Sequence, residues 1–122
     1  QWKILIVDDE DFLRNNLQNI LGTAGYEIVA VEAGNSALEL IKSSDFDLVL
    51  LDLNLPDING LEVLRQIKKL NEETLVIIMT GYASVESAVE ALKLGAYDYI
   101  KKPFKADAIK LIITLAIETL AL

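Results

Sequence analysis

The chain has 122 residues, no His, no Cys, and 19 Asp and Glu against 11 Lys and Arg, a formal net charge of −8. That length makes one domain, able to bury roughly two-thirds of its unfolded surface without staples, and the charge repels nucleic acid and anionic membrane. The missing residue types exclude Ser-His or Cys-His catalysis, thiolate zinc sites, disulfides and a phosphohistidine carried on this chain.

Taken in order, strand-like and helix-like segments alternate. Lys3 to Asp8 (KILIVD) is a β-branched apolar run ending in acid. Glu10 to Ala24 carries Leu13, Leu17, Ile20, Leu21 and Ala24 at helical spacing, with acids at its start and Gly25 as its stop. Tyr26 to Val31 reads as a second strand. Asn35-Ser36 is expected to cap a helix running to about Ser43. Asp45 to Leu51 is the third strand, apolar at consecutive positions and so buried on both faces; it runs into Asp52 and a turn marked by Pro56 and Asn59-Gly60. Leu61, Leu64, Ile67 and Lys68 mark a helix to about Leu70. Thr74 to Thr80 is a fourth buried strand. Ser84 then caps a helix whose Val85, Ala88, Val89 and Leu92 fit an i, i+3, i+4, i+7 stripe until Gly95. Tyr97 to Lys101 is the fifth strand, Lys102-Pro103-Phe104 a break, and the chain is helical from about Lys105 to its end.

Five strands alternating with five helices imply right-handed crossovers and one parallel sheet covered on both faces, an α/β doubly wound (βα)5 fold. Five strands suit the flavodoxin-like order 2-1-3-4-5. Asp8 with Asp9, Asp52, Thr80 and Lys102 then reach the carboxyl edge of the sheet, where ligands bind in such folds. Singly, each has a plainer explanation: an acidic helix start, a turn residue, a strand end, a solvated charge. Together they place acids, a hydroxyl and an amine at four strand ends on one rim. Three carboxylates within about 4 Å repel by about 4 kcal/mol per pair at an effective dielectric near 20, so such a site needs a cation. Mg²⁺ fits, because it takes one or two carboxylates, keeps several waters and accepts phosphate oxygens.

These residues carry a resemblance along essentially the whole chain. Asp8-Asp9, Asp52, Thr80 and Lys102-Pro103, each after a strand, resemble the signature of the receiver domains of two-component response regulators. The resemblance implies that Asp52 accepts a phosphoryl group from the phosphohistidine of a sensor histidine kinase. It implies that Asp9 ligates Mg²⁺ with Asp8 helping directly or through water, and that Asp52 and the Asn54 backbone carbonyl complete the protein's share. Thr80 and Lys102 would contact the phosphoryl oxygens, and the peptide before Pro103 would be cis. It also implies that Tyr99 is a switch aromatic whose ring turns inward when Thr80 moves, changing the surface of the fourth helix, fifth strand and fifth helix; an aromatic in a strand is otherwise ordinary packing.

Two further stretches bear on partners. In Asp107 to Leu122 the polar residues Asp107, Lys110, Thr114 and Glu118 form a narrow stripe, leaving more apolar surface than packing on one sheet face uses. A homodimer contact there, or continuation into an output domain, is expected. Gly81 to Lys93 and Ala96 to Tyr99 resemble receivers of the nitrogen-regulatory, sigma-54 type of transcriptional activator. The start without Met reads as a fragment of a longer protein, and the resemblance implies the N-terminal part of a longer regulator. No apolar run reaches the roughly 18 residues of a membrane span and no signal peptide is evident, so the expected setting is cytoplasmic, with no membrane or direct nucleic-acid contact.

Other functions are weaker. A Mg²⁺-dependent phosphohydrolase of the haloacid dehalogenase class also uses an Asp nucleophile after a strand, but resembles a pattern with a second Asp two positions on, where this chain has Asn54. An amide cannot protonate a leaving group. A flavodoxin-like cofactor site would want a hydroxyl- and glycine-rich phosphate cradle where this chain has Asp8-Asp9-Glu10-Asp11. A non-phosphorylated interaction module would not need the complete set of site residues. The expectation is a phosphorylatable switch, not a turnover enzyme beyond its own phosphorylation and dephosphorylation.

Overall fold

The computed structural model describes residues 1–81 and 84–122. Strands β1 (Lys3–Val7), β2 (Glu27–Val31), β3 (Leu48–Asp52), β4 (Leu75–Thr80) and β5 (Asp98–Lys101) alternate with helices α1 (Asp11–Gly22), α2 (Gly34–Ser43), α3 (Gly60–Leu70), α4 (Val85–Lys93) and α5 (Ala106–Ala121). The strands form one sheet in the order β2-β1-β3-β4-β5, every neighbouring pair parallel. This is the expected doubly wound fold.

Strand side chains alternate between faces, and the sheet sorts them into two cores. Leu5, Val7, Val49, Leu51, Val76 and Ile78 pack with α2, α3 and α4 on one side. Ile4, Ile6, Leu48, Leu50, Ile77 and Met79 pack with α1 and α5 on the other. Because β1, β3 and β4 are buried on both faces, their sequences show unbroken apolar runs rather than alternation. Gly25 and Gly95, at φ of 90° and 104°, supply the left-handed residue that closes the turns after α1 and α4.

Two expectations need correction. The α2 helix is not capped by Asn35-Ser36: it starts at Gly34, its N-cap Ala33 has no side-chain acceptor, and the carboxylate of Asp57 takes the Gly34 and Asn35 amides at 2.9 and 2.8 Å instead. The α4 helix forms where its periodicity places it, with Val85, Val89 and Leu92 exposed. Val85 is 81% and Leu92 52% exposed, while Ala91 is the fully buried residue of that helix. A small residue, Ala91, faces the core, and the larger apolar residues Val85, Val89 and Leu92 face water. The second correction is a shift of strand limits: β3 begins at Leu48 rather than Asp45, and includes Asp52. Just before it, the Asp47 carboxylate accepts the Lys3 amide at 2.9 Å.

Other boundaries follow local chemistry. Ser84 and Ser87 form a reciprocal capping box at the start of α4. Asn59 caps α3 by accepting the Leu61 amide at 2.8 Å. The α5 helix buries Ile109, Ile113, Ala116 and Ile117 and leaves Leu111, at 60% exposure, and Leu115 in solvent, the surplus apolar surface its sequence announces. Tyr82 and Ala83, part of the stretch resembling the nitrogen-regulatory type, lie outside the described residues.

Candidate functional site

The sheet register assembles the site. Val7 is level with Leu51, so the next residues along, Asp8 and Asp52, meet at the rim of neighbouring strands. Thr80 is level with Lys101, and the Lys102 amide donates to the Thr80 carbonyl at 2.9 Å, which brings Lys102 to the same edge. The Lys102-Pro103 peptide is cis. Carboxylate oxygens of Asp8, Asp9 and Asp52 lie within 4.8 Å of one another. Asp8 and Asp52 are buried and Asp9 faces solvent.

Lys102 binds this acidic group together. Its Nζ lies 2.6 Å from Asp8 Oδ2 and 3.1 Å from Asp52 Oδ2, with Glu10 Oε1 at 3.4 Å. Burial pushes the Asp8 carboxyl above its usual range, with Lys102 and the Glu10 amide pulling part of the way back. For Lys102 burial opposes the charge, but Asp8 and Asp52 together outweigh it and hold the ammonium above the ordinary lysine value. The remaining acceptors are partly tied: the Glu10 amide donates to Asp8 Oδ1 at 2.9 Å and the Asn54 amide to Asp52 Oδ1 at 3.1 Å. Asp8 Oδ2, by contrast, is buried with no well-formed hydrogen bond among the described residues beyond its ion pair. An acidic oxygen so placed, with two neighbouring carboxylates, fits a hard divalent cation.

The remaining expected residues surround this group. Thr80 is buried, and Asn54 Nδ2 reaches its Oγ1 at 3.5 Å. Asp9, Asp52, Asn54 and Lys102 line an open cleft of about 740 Å³ whose apolar walls include Phe12 and Phe104. Tyr99 stands apart from the carboxylates. It is level with Ile78 and shares its sheet face, so Thr80 and Tyr99 project to the same side. The Tyr99 ring packs against the α2–α4 core, and its hydroxyl is buried with no partner among the described residues.

Three contributors were not singled out from sequence. Glu10 touches Lys102, and Arg14 donates to the Asp8 carbonyl oxygen at 2.7 Å while pairing with Asp11. The i, i+3 spacing of Asp11 and Arg14 was a readable signal. Asp57 had none, since its partners on α2 lie 23 and 22 residues away.

Comparison with known proteins agrees with this geometry. The model of the response regulator receiver domain matches residues 4–114. Transcriptional regulatory protein ZraR of Klebsiella oxytoca is 42% identical over 117 residues, covering 96% of this chain and 26% of its own length. The chain spans between about a quarter and a little under half of the length of the curated relatives it matches. A CheY-like receiver domain protein from Methanospirillum hungatei JF-1 superposes with a TM-score of 0.96 at 34% identity, covering 98% of this chain and 96% of that one. A response regulator protein from Burkholderia pseudomallei, solved with a phosphorylated aspartic acid, calcium ion and citrate, superposes with a TM-score of 0.87 at 30% identity, covering 99% and 72%. Among the described residues no helix is long and apolar enough to cross a membrane.

Proposed function

The chain belongs to the response regulator receiver domain family, and from that premise we propose that it takes a phosphoryl group from a histidine kinase onto Asp52 in the presence of Mg²⁺. The observation that carries the reading is the position of Lys102 Nζ between Asp8 and Asp52, at the mouth of a cleft that also holds Asp9. An Asp52 oxygen attacks phosphorus in line, the bond from phosphorus to the donor imidazole nitrogen breaks, and that nitrogen keeps the electron pair. The product is an acyl phosphate on Asp52. Such transfer needs mainly positioning and charge neutralisation. Asp8, Asp9, Asp52 and the Asn54 carbonyl would hold Mg²⁺, which when bound neutralises phosphoryl oxygens.

The chain's own groups do the rest. The Lys102 ammonium, released from the carboxylates, faces one oxygen of the transferred group, and the Thr80 hydroxyl can donate to another. The Asn54 amide is too weak an acid and too weak a base to exchange a proton with a leaving group or water, so a general acid or base that would speed hydrolysis is missing at that position and the phosphoryl group persists as a signal. Thr80 and Tyr99 project to one side of the sheet, and their coupling would bias the α4–β5–α5 surface by population shift. The exposed apolar residues of α4 and α5 favour a homodimer there. An output domain, transcriptional by the likeness to ZraR, would follow the receiver in a longer cytoplasmic protein.

The test is direct. Incubated with Mg²⁺ and a small phosphodonor, the chain should gain one phosphoryl group by mass spectrometry, and both EDTA and Asp52→Asn should prevent it. Modification that survives Asp52→Asn overturns the proposal.

A further inference from the structure

The turn between β3 and α3 is closed upon itself. Asn54 and Asn59 pair as an antiparallel bridge, and the Gly60 amide donates to the Leu53 carbonyl at 3.0 Å. Gly60 permits this approach: a Cβ there would sit 2.4 Å from Leu53 Cα and 2.6 Å from the Asp52 carbonyl oxygen. The far side of the loop is fastened to α2. Asp57 accepts the first two amides of that helix, and a Cβ on Gly34 would come within 2.1 Å of Ile58 Cγ2 and 3.3 Å of Leu55 Cδ1. Loop and helix start are thus one packed unit, joined by two hydrogen bonds and by side chains on either side of Asp57.

We propose that Asp57 is a positioning residue for the cation site, acting on Asn54 and Asp52 through this closed loop. The inference rests on the reading that Asp8, Asp9, Asp52 and the Asn54 carbonyl hold Mg²⁺. A loop tethered only at its two ends by β3 and α3 can tilt, carrying the Asn54 carbonyl with it; the α2 tether removes that freedom. Groups that orient ligands without touching the metal commonly matter about 10-fold or more in affinity. The hydrogen bonds from the α2 amides, led by that of Asn35, lower the pKa of the Asp57 carboxyl. The tether therefore persists across the range in which the site works.

The bare alternative is that Asp57 only caps α2, whose own N-cap position holds Ala33. Two variants separate these. Asp57→Ala removes the tether, and adding Ala33→Ser supplies a local cap in an extended N-cap residue without restoring it. Mg²⁺ binding is measured by calorimetry on the whole chain, with thermal unfolding in EDTA alongside. Asp57→Ala should weaken Mg²⁺ binding roughly 10-fold, and phosphorylation by a small phosphodonor should slow at limiting Mg²⁺ but recover at saturating Mg²⁺. The double variant should regain thermal stability while Mg²⁺ binding stays weak. Asp57→Asn, which keeps one acceptor oxygen, should fall between. Unchanged Mg²⁺ affinity in Asp57→Ala, or affinity fully regained with Ala33→Ser, overturns the positioning role alone. If the unsubstituted chain binds no Mg²⁺, the functional reading itself falls, and this one with it.

Discussion

Replacing Lys102 with Met tests the electrostatics of the site most directly. The substitution keeps an unbranched stem and deletes an ammonium lying 2.6 Å from Asp8 Oδ2 and 3.1 Å from Asp52 Oδ2. The lysine side chain is 12% exposed and that of Asp8 is fully buried, so water cannot take over the lost charge. Removing one partner of a buried ion pair costs about 3–5 kcal/mol. Because Asp52 borders an open cleft and can be partly solvated, the lower figure is expected, about 3 kcal/mol at neutral pH. The pH dependence has a definite sign. Asp8 titrates above an exposed Asp even with Lys102 present, burial being the main cause, so the native state holds more protons than the unfolded one and this group lowers stability as pH rises from about 4. Lys102 has a raised pKa: its contribution is complete below the unfolded value and is lost only as pH climbs through the folded one. Deleting it removes the charge that pulls Asp8 down, leaving only the Glu10 amide to do so, and widens the Asp8 penalty. Urea unfolding in EDTA should therefore show a small difference between wild type and variant near pH 3.5, where an unfolded Asp is largely protonated, opening to the full value by about pH 7. A difference that does not change with pH, or one under about 1 kcal/mol at neutrality, refutes the idea that Lys102 neutralises a buried carboxylate pair.

Further outcomes follow from single contacts. Gly60→Ala should cost about 3 kcal/mol and impair phosphoryl acceptance, because the new methyl meets backbone atoms that cannot rotate away; Gly22→Ala, with nothing within 4 Å, should be neutral or slightly stabilising in the same denaturation assay. Tyr99→Phe should stabilise the chain by about 1 kcal/mol, since it removes a buried hydroxyl with no partner among the described residues; a loss of that size would reveal a bond made by the hydroxyl. Leu111→Glu with Leu115→Glu should leave the monomer's urea midpoint almost unchanged, within about 0.5 kcal/mol of stability, and abolish self-association in sedimentation with a beryllofluoride phosphate mimic. A wild-type chain that stays monomeric at high concentration with and without the mimic sinks the dimer.

What could be read from sequence depended on the range of the interaction that decides it. Asp52 and Thr80 were legible because each closes an apolar run, and Lys102 because it follows the fifth strand; a parallel sheet collects all such ends at one edge. The fold followed from the same runs. The α4 helix was legible, but its orientation was not: periodicity shows which residues share a side of a helix, not which side meets the sheet. The buried position is Ala91, while Val85, Val89 and Leu92 are exposed. The start of α2 was hidden because its acceptor, Asp57, comes from a loop beyond β3. Arg14 and Glu10 were visible as charges, but only the folded turn after β1 shows that they brace Asp8 and Lys102.

The small side chains beneath α4 carry a mechanical consequence. Burying a Leu or Ile contributes about 1.5–3 kcal/mol, and Ala a good deal less. The α4 helix is seated through Ala91, its one buried residue, whereas α3 is anchored by Val63, Leu64 and Ile67. Shifting α4 would therefore tear fewer large side chains from their sockets, and leave smaller cavities, than shifting α3. On that face of the sheet the cost of moving a helix is lowest at α4.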